Sequence, residues 1–209
     1  MSHLILVRHG ESQFNAKSLW TGTWDVPLTD RGRHEAQMMA HAIKDLKPTY
    51  AFTSNLSRAT ETLEIILTTN HWKPKVAADA ALAERDYGEL TGMNKWVVEE
   101  KYGEAQFNKW RRGWDEPVPG GETLKQVYRR VIPYYESHIL PHLKGETTVL
   151  LVAHGNSIRT LIKYLDDLSN EQVKNLEMLF GAAVIYTLDP HHKVVRKDTR
   201  KIPITPPPA

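Results

Sequence analysis

Two histidines stand in matched settings, and their type and position suggest phosphoryl chemistry. Leu4-Ile5-Leu6-Val7-Arg8-His9-Gly10-Glu11-Ser12 repeats in form as Val149-Leu150-Leu151-Val152-Ala153-His154-Gly155-Asn156-Ser157. Each is an apolar run, one intervening residue, His-Gly and a polar pair that could open a helix. A neutral imidazole, with an ordinary pKa of about 6.5, is nucleophilic near neutral pH. Glycine allows close approach of backbone to a ligand, and amides at a helix start favour an anion. Arginines sharpen the pattern: Arg8 precedes His9, Arg58 follows Ser54-Asn55-Leu56-Ser57, and Arg111-Arg112 form a pair. Planar guanidinium groups suit bidentate contact with phosphate oxygens. One His-Gly step can simply end a strand in a turn; two on matched runs, with arginines nearby, point to a phosphate pocket.

The elements that must hold these residues follow from the apolar spacing. Residues 4–7 and 148–152 are short, uniformly apolar runs, as expected of strands buried on both faces of a parallel sheet. Neighbouring strands would deliver both histidines to the carboxyl edge of the sheet, where open α/β folds bind ligands. Ala36, Met39, Ala40, Ile43 and Leu46 follow helical spacing after a capping Thr29, and Ala59, Leu63, Ile66 and Leu67 do so after a short strand at 50–53. A third helix is expected from Glu122 towards Leu140, interrupted at Pro133. Ser169 with Gln172 reads as a capping box, and 183–188 with 193–196 as a closing hairpin. The expected fold is α/β, a mostly parallel central sheet with helices on both faces in a three-layer sandwich. Residues 87–121, rich in tryptophan and without a clear period, read as an insertion over one sheet end. One domain over 1–196 is expected, followed by a basic, proline-rich tail over 197–209.

Arg8-His9-Gly10, Thr21-Gly22, Glu84-Arg85-Asp86-Tyr87-Gly88, Gly92-Met93-Asn94-Lys95, Trp110-Arg111-Arg112 and His154-Gly155-Asn156-Ser157 occur in an order that resembles the histidine phosphatase superfamily. Within it they are similar to the cofactor-dependent phosphoglycerate mutases, over about residues 4–188. The resemblance implies that His9 is the phosphate-accepting nucleophile. It further implies that Arg8, Arg58 and His154 stabilise the transferring group, and that Glu84 is the general acid and base. For the remainder of the substrate it implies Arg85, Tyr87, Lys95, Arg111 and Arg112, with Ser12, Asn15, Thr21, Gly22, Gly155 and Asn156 as neutral donors. The implied reaction interconverts 3-phosphoglycerate and 2-phosphoglycerate, primed by 2,3-bisphosphoglycerate and without a metal. A phosphomonoesterase on the same scaffold is one alternative, and a non-catalytic phosphate-binding protein is another. The chain departs from the family pattern at Ala16, where relatives commonly carry lysine, with Lys17 following, and in the tail ending Pro206-Pro207-Pro208-Ala209.

Bulk properties narrow the classes. The 209 residues hold 41% hydrophobic and 25% charged residues with a formal net charge of +2, which argues against nucleic-acid or anionic-membrane partners. The absence of cysteine excludes disulfides, thiolate nucleophiles and thiolate-bound metals. His138 and His142 have the spacing of a helical metal pair, but Pro141 lies between them. No secretory leader and no run of about 20 apolar residues is evident, so a cytoplasmic location is expected. The expected partners are small phosphorylated three-carbon acids, and the sequence leaves a homo-oligomer open.

Overall fold

The apolar run near the chain start forms β1 (Ser2–Arg8), and its counterpart forms β4 (Thr148–Ala153). The computed structural model describes residues 1–176 and 180–203. β1 and β4 are parallel neighbours with Arg8 opposite Ala153, so both His-Gly steps leave the sheet side by side. β2 (Tyr50–Thr53) and β3 (Lys75–Ala78) extend the parallel part, while β5 (Ala182–Leu188) and β6 (Val194–Lys201) close it as an antiparallel hairpin. The strand order is β3-β2-β4-β1-β5-β6.

Side chains alternate across the sheet and bury two separate cores. Leu4, Leu6, Val149 and Leu151 pack with Val127 and Val131 of α6 (Leu124–Tyr134) and with Ile158 and Leu161 of α7 (Gly155–Leu165). Ile5, Val7, Leu150 and Val152 pack on the other face with Met39 and Ala40 of α2 (Asp30–Ala42) and with Leu63 and Ile66 of α3 (Ser57–Thr69). The result is the expected three-layer α/β sandwich. Thr29 caps α2 by accepting from the Gly32 amide. Ser169 and Gln172 close a capping box on α8 (Asn170–Lys174). Pro133 stands in the last turn of α6, where it removes an amide donor, and the chain continues as a π-turn over Tyr135–Ile139.

Three features differ from the sequence expectation. β3 has all four residues exposed, so no apolar run marks it. Residues 87–121 contain α4 (Lys95–Tyr102) and α5 (Glu104–Arg112), which bury Val98, Phe107 and Trp110 against Trp20, Tyr87, Leu90 and Val118 in a core of their own. The boundary drawn at 196/197 falls inside β6, because alternate charged residues there face solvent while the backbone pairs with β5. The Pro206-Pro207-Pro208 run lies outside the described residues. Among the described residues, no helix is long and apolar enough to cross a membrane.

Candidate active site

His9 and His154 meet beyond the carboxyl ends of β1 and β4 with ring centroids 5.0 Å apart. His9 Nδ1 lies 2.7 Å from the Gly10 carbonyl oxygen. That oxygen can only accept, so Nδ1 carries the hydrogen and Nε2 carries the lone pair. Burial, reinforced by the charges of Arg58 and Arg8, holds the His9 pKa well below its ordinary value. Nε2 therefore stays unprotonated at neutral pH. His154 is fully buried and shifted in the same direction by burial, then by His9, Arg58 and Arg8.

Cations surround this pair. Arg58, fully buried at the start of α3, donates from Nη1 to the Trp24 carbonyl and from Nη2 to the Gly22 carbonyl, both at 2.8 Å. Its Nε is buried and has no partner. The Arg8 Nε is likewise buried and unpartnered, and its guanidinium lies 3.8 Å above the Phe180 ring centroid. Lys95, the first residue of α4, has its pKa pushed down to about 8 by burial and then by the charges of Arg8 and Arg111. Arg111, in the last turn of α5, is shifted down by burial and by Arg112 beside it. Among the described residues these cations form no salt bridge, and the charge of Glu84 acts on Arg8, Arg58 and Lys95.

Glu84 supplies the carboxylate. Its Oε1 accepts from the Arg85 amide at 2.8 Å, the Asn156 amide at 3.1 Å and Asn156 Nδ2 at 3.0 Å. Three donors fill Oε1, while Oε2 faces Gly155. Asn156 Nδ2 also donates to the Tyr87 hydroxyl at 2.8 Å. α7 thus begins at Gly155 and Asn156 against the acid, as the second His-Gly step suggested.

The other residues expected at the site have these surroundings. Arg85 is fully buried but spends its donors on main chain: Nε to Glu122, Nη1 to Trp110 and Nη2 to Glu116 carbonyls, at 2.6, 2.8 and 3.4 Å. It braces the segment behind α5 and makes no salt bridge to Glu84. The carbonyl of Gly22 holds Arg58, so the Thr21-Gly22 step reaches the site through that arginine. Ser12 does not face the pocket freely. Its amide and hydroxyl both donate to Asn15 Oδ1, at 3.1 and 2.9 Å, as the cap of α1 (Gln13–Ala16). Ala16 and Lys17 are exposed. Gly10 is needed for packing: a Cβ there would lie 2.2 Å from the Gly32 carbonyl oxygen. Of the tryptophans, Trp20 and Trp110 are buried in the insertion core, while Trp24 and Trp96 are exposed.

Two residues of this constellation escaped the sequence reading. Arg159 lies one turn beyond Asn156 on α7, with a buried, unpartnered Nε. Burial lowers its pKa to about 10, and the charges of Tyr87, Arg112, Glu84 and Arg8 act on it. The helical spacing of three from Asn156 was the available signal. Ser54, fully buried, has its Oγ 2.6 Å from His154 Nε2. Nothing in a single sequence links two residues so far apart.

Comparison with known proteins agrees with this geometry. The family model described as histidine phosphatase superfamily (branch 1) matches residues 4–200. A 2,3-bisphosphoglycerate-dependent phosphoglycerate mutase of Parvibaculum lavamentivorans is 49% identical over 199 residues, covering 93% of this chain and 94% of its own. The protein of that name from Cytophaga hutchinsonii is 42% identical, covering 99% and 97%. Among solved structures, Bacillus stearothermophilus YhfR superposes with a TM-score of 0.82 at 25% identity, over 93% of this chain and 94% of that one.

Proposed function

Since the chain belongs to the histidine phosphatase superfamily, we propose that it interconverts 3-phosphoglycerate and 2-phosphoglycerate through a phosphohistidine at His9, primed by 2,3-bisphosphoglycerate. The relatives carrying that activity in their names align over nearly the whole chain. The observation that carries the reading is the unpaired cation cluster around a lone pair. Arg8 Nε, Arg58 Nε, Arg159 Nε and His154 Nδ1 are buried polar atoms without a protein partner, and Lys95 and Arg111 stand close by. Buried polar groups are rarely left unpaired, so such donors fit an anion of several charges. A bisphosphorylated three-carbon acid has three anionic groups, and when bound it supplies the phosphoryl group that loads His9.

His9 Nε2 attacks phosphorus in line, the bond to the substrate oxygen breaks, and the Glu84 Oε2 proton goes to that oxygen. In the return step Glu84 takes a proton from the other hydroxyl of the acid, whose oxygen attacks the phosphohistidine. Arg8, Arg58 and His154 hold the equatorial oxygens, and Lys95, Arg111, Arg112 and Arg159 hold the far carboxylate. This activity places the protein in glycolysis and gluconeogenesis, in the cytoplasm, acting on small phosphorylated three-carbon acids.

One coupled assay on 3-phosphoglycerate, with and without 2,3-bisphosphoglycerate, scores isomerisation and phosphate release together. Isomerisation should predominate and should depend on the primer. His9→Ala should abolish it along with the acid-labile phosphoprotein. Phosphate release exceeding isomerisation would make the enzyme a phosphomonoesterase, and labelled phosphate retained on the His9→Ala protein would remove His9 from the reaction.

A further inference from the structure

The two His-Gly steps are alike in sequence and opposite in hydrogen bonding. His9 meets a carbonyl, that of Gly10, at Nδ1. His154 meets a hydroxyl, Ser54 Oγ, at Nε2, and its Nδ1 is buried with no partner. Ser54 Oγ already accepts from the Leu56 amide at 3.2 Å. The hydroxyl hydrogen of Ser54 has His154 Nε2 within reach as an acceptor, provided that nitrogen is bare.

We propose that Ser54 is a positioning residue that fixes His154 as the Nδ1–H tautomer, so that this histidine faces the pocket as a neutral donor while His9 faces it with a lone pair. The opposite arrangement fails on satisfaction. If Nε2 carried the hydrogen, the buried Ser54 hydroxyl would lose its acceptor. The Nδ1 lone pair would then face the oxygens of a phosphoryl group. The titratable and charged groups acting on His154 are His9, Arg58, Arg8 and Arg130, none of them an acid, so the imidazolium is disfavoured as well. Both rings are then the Nδ1–H tautomer, but His9 turns its bare Nε2 to phosphorus as a nucleophile and His154 turns its Nδ1–H to the oxygens as a donor. A nearly duplicated motif thus acquires two chemistries from one acceptor and one donor. The kinetic consequence rests on the phosphoryl-transfer reading above; the tautomer does not.

Nitrogen-resolved NMR of histidine-labelled protein tests the tautomer directly, with signals assigned by loss in His154→Asn. Wild type and Ser54→Thr should show His154 protonated at Nδ1 and bare at Nε2. Ser54→Ala, which only removes atoms, should move population to Nε2–H while leaving the His9 signals and the unfolding cooperativity unchanged. Orthovanadate is the binding probe. Its affinity should fall at least about tenfold in Ser54→Ala, the scale of one hydrogen bond to a charged group, and recover in Ser54→Thr. A wild-type His154 protonated at Nε2 overturns the proposal without reference to any variant. So does a Ser54→Ala protein that keeps both the tautomer and the vanadate affinity. If wild type shows the expected tautomer but no isomerisation, the reaction assignment fails and the role of Ser54 stands.

Discussion

His9 and His154 reach neutrality through burial, and the ligand-free protein must register that in its stability. Both folded-state pKa values lie below the unfolded value of about 6.5. Above that pH neither state takes up a proton at these sites, and their contribution is flat. As pH falls through about 6.5 the unfolded chain binds two protons that the folded chain refuses, so stability is lost on the acid side. The loss continues until the folded pKa values are reached. Each histidine adds a slope of up to about 1.4 kcal/mol per pH unit. Urea unfolding between pH 7 and 5 should show this fall, and His9→Asn should remove about half of the part due to the pair. A His9→Asn slope equal to that of wild type would mean that His9 is charged in the folded protein. Inorganic phosphate should raise stability across the same range, because the unpartnered donors then gain an acceptor.

Two arginines set the positions of the elements that bear the site, and neither could be recognised from its neighbours in sequence. Arg130 of α6 donates from Nη1 to the Ala81 and Ala83 carbonyls and from Nη2 to that of Glu84, at 2.8, 2.9 and 2.9 Å. It also pairs with Glu122, whose Oε2 accepts from the Asp86 amide at 3.0 Å. Arg85 reaches in the other direction, to carbonyls behind α5. Lysine at 85 offers one ammonium where three carbonyls need a fork, so Arg85→Lys should lower ligand-free stability by about 2–4 kcal/mol. A substrate-contact role would instead leave unfolding unchanged and raise only KM. The residues that could be read from sequence were those whose surroundings are local: β1 and β4 from apolar runs, α2 from Thr29, α8 from Ser169 with Gln172. The histidines, Arg58 and Glu84 were legible through their order along the chain. β3 was not, because an exposed edge strand carries no apolar pattern. α4 and α5 were not, because short helices packed by Trp110 and Phe107 replace a long stripe with a few large side chains. Arg85, Arg130 and Ser54 act through carbonyls and a distant ring, which only the fold brings together.

At the scale of the whole molecule, a formal charge of +2 conceals a strong segregation. Outside the pocket many cations are paired, as in Arg31 with Glu35, Arg33 with Glu61, Lys197 with Asp166 and Arg200 with Asp45. Within it, Arg8, Arg58, Lys95, Arg111 and Arg159 form no salt bridge among the described residues, so the field is focused where an anionic substrate would enter. The last two of those outer pairs belong to β6, and they bind the strand to the rest of the fold beyond Arg196. Arg200 also donates to the Ala42 carbonyl at 2.9 Å, which ties the edge strand to α2. The Ile202 amide donates to the Gly181 carbonyl at 2.8 Å, and its side chain is buried in the same core as Ile5 and Ile185. A chain ending at Arg196 would keep only the first residues of β6. It would leave the amides and carbonyls of β5 facing water along an open edge and would uncover part of that core. The lost ladder, two ion pairs and one isoleucine together amount to several kcal/mol, a large share of the roughly 5–15 kcal/mol that holds a domain folded. Truncation after Arg196 should therefore lower the unfolding midpoint steeply and promote association through the bared edge. Truncation after Pro203 retains every one of those contacts and should unfold at a clearly higher urea concentration than truncation after Arg196. Equal midpoints for the two truncations would show that β6 contributes nothing to the fold and would restore the domain boundary at 196.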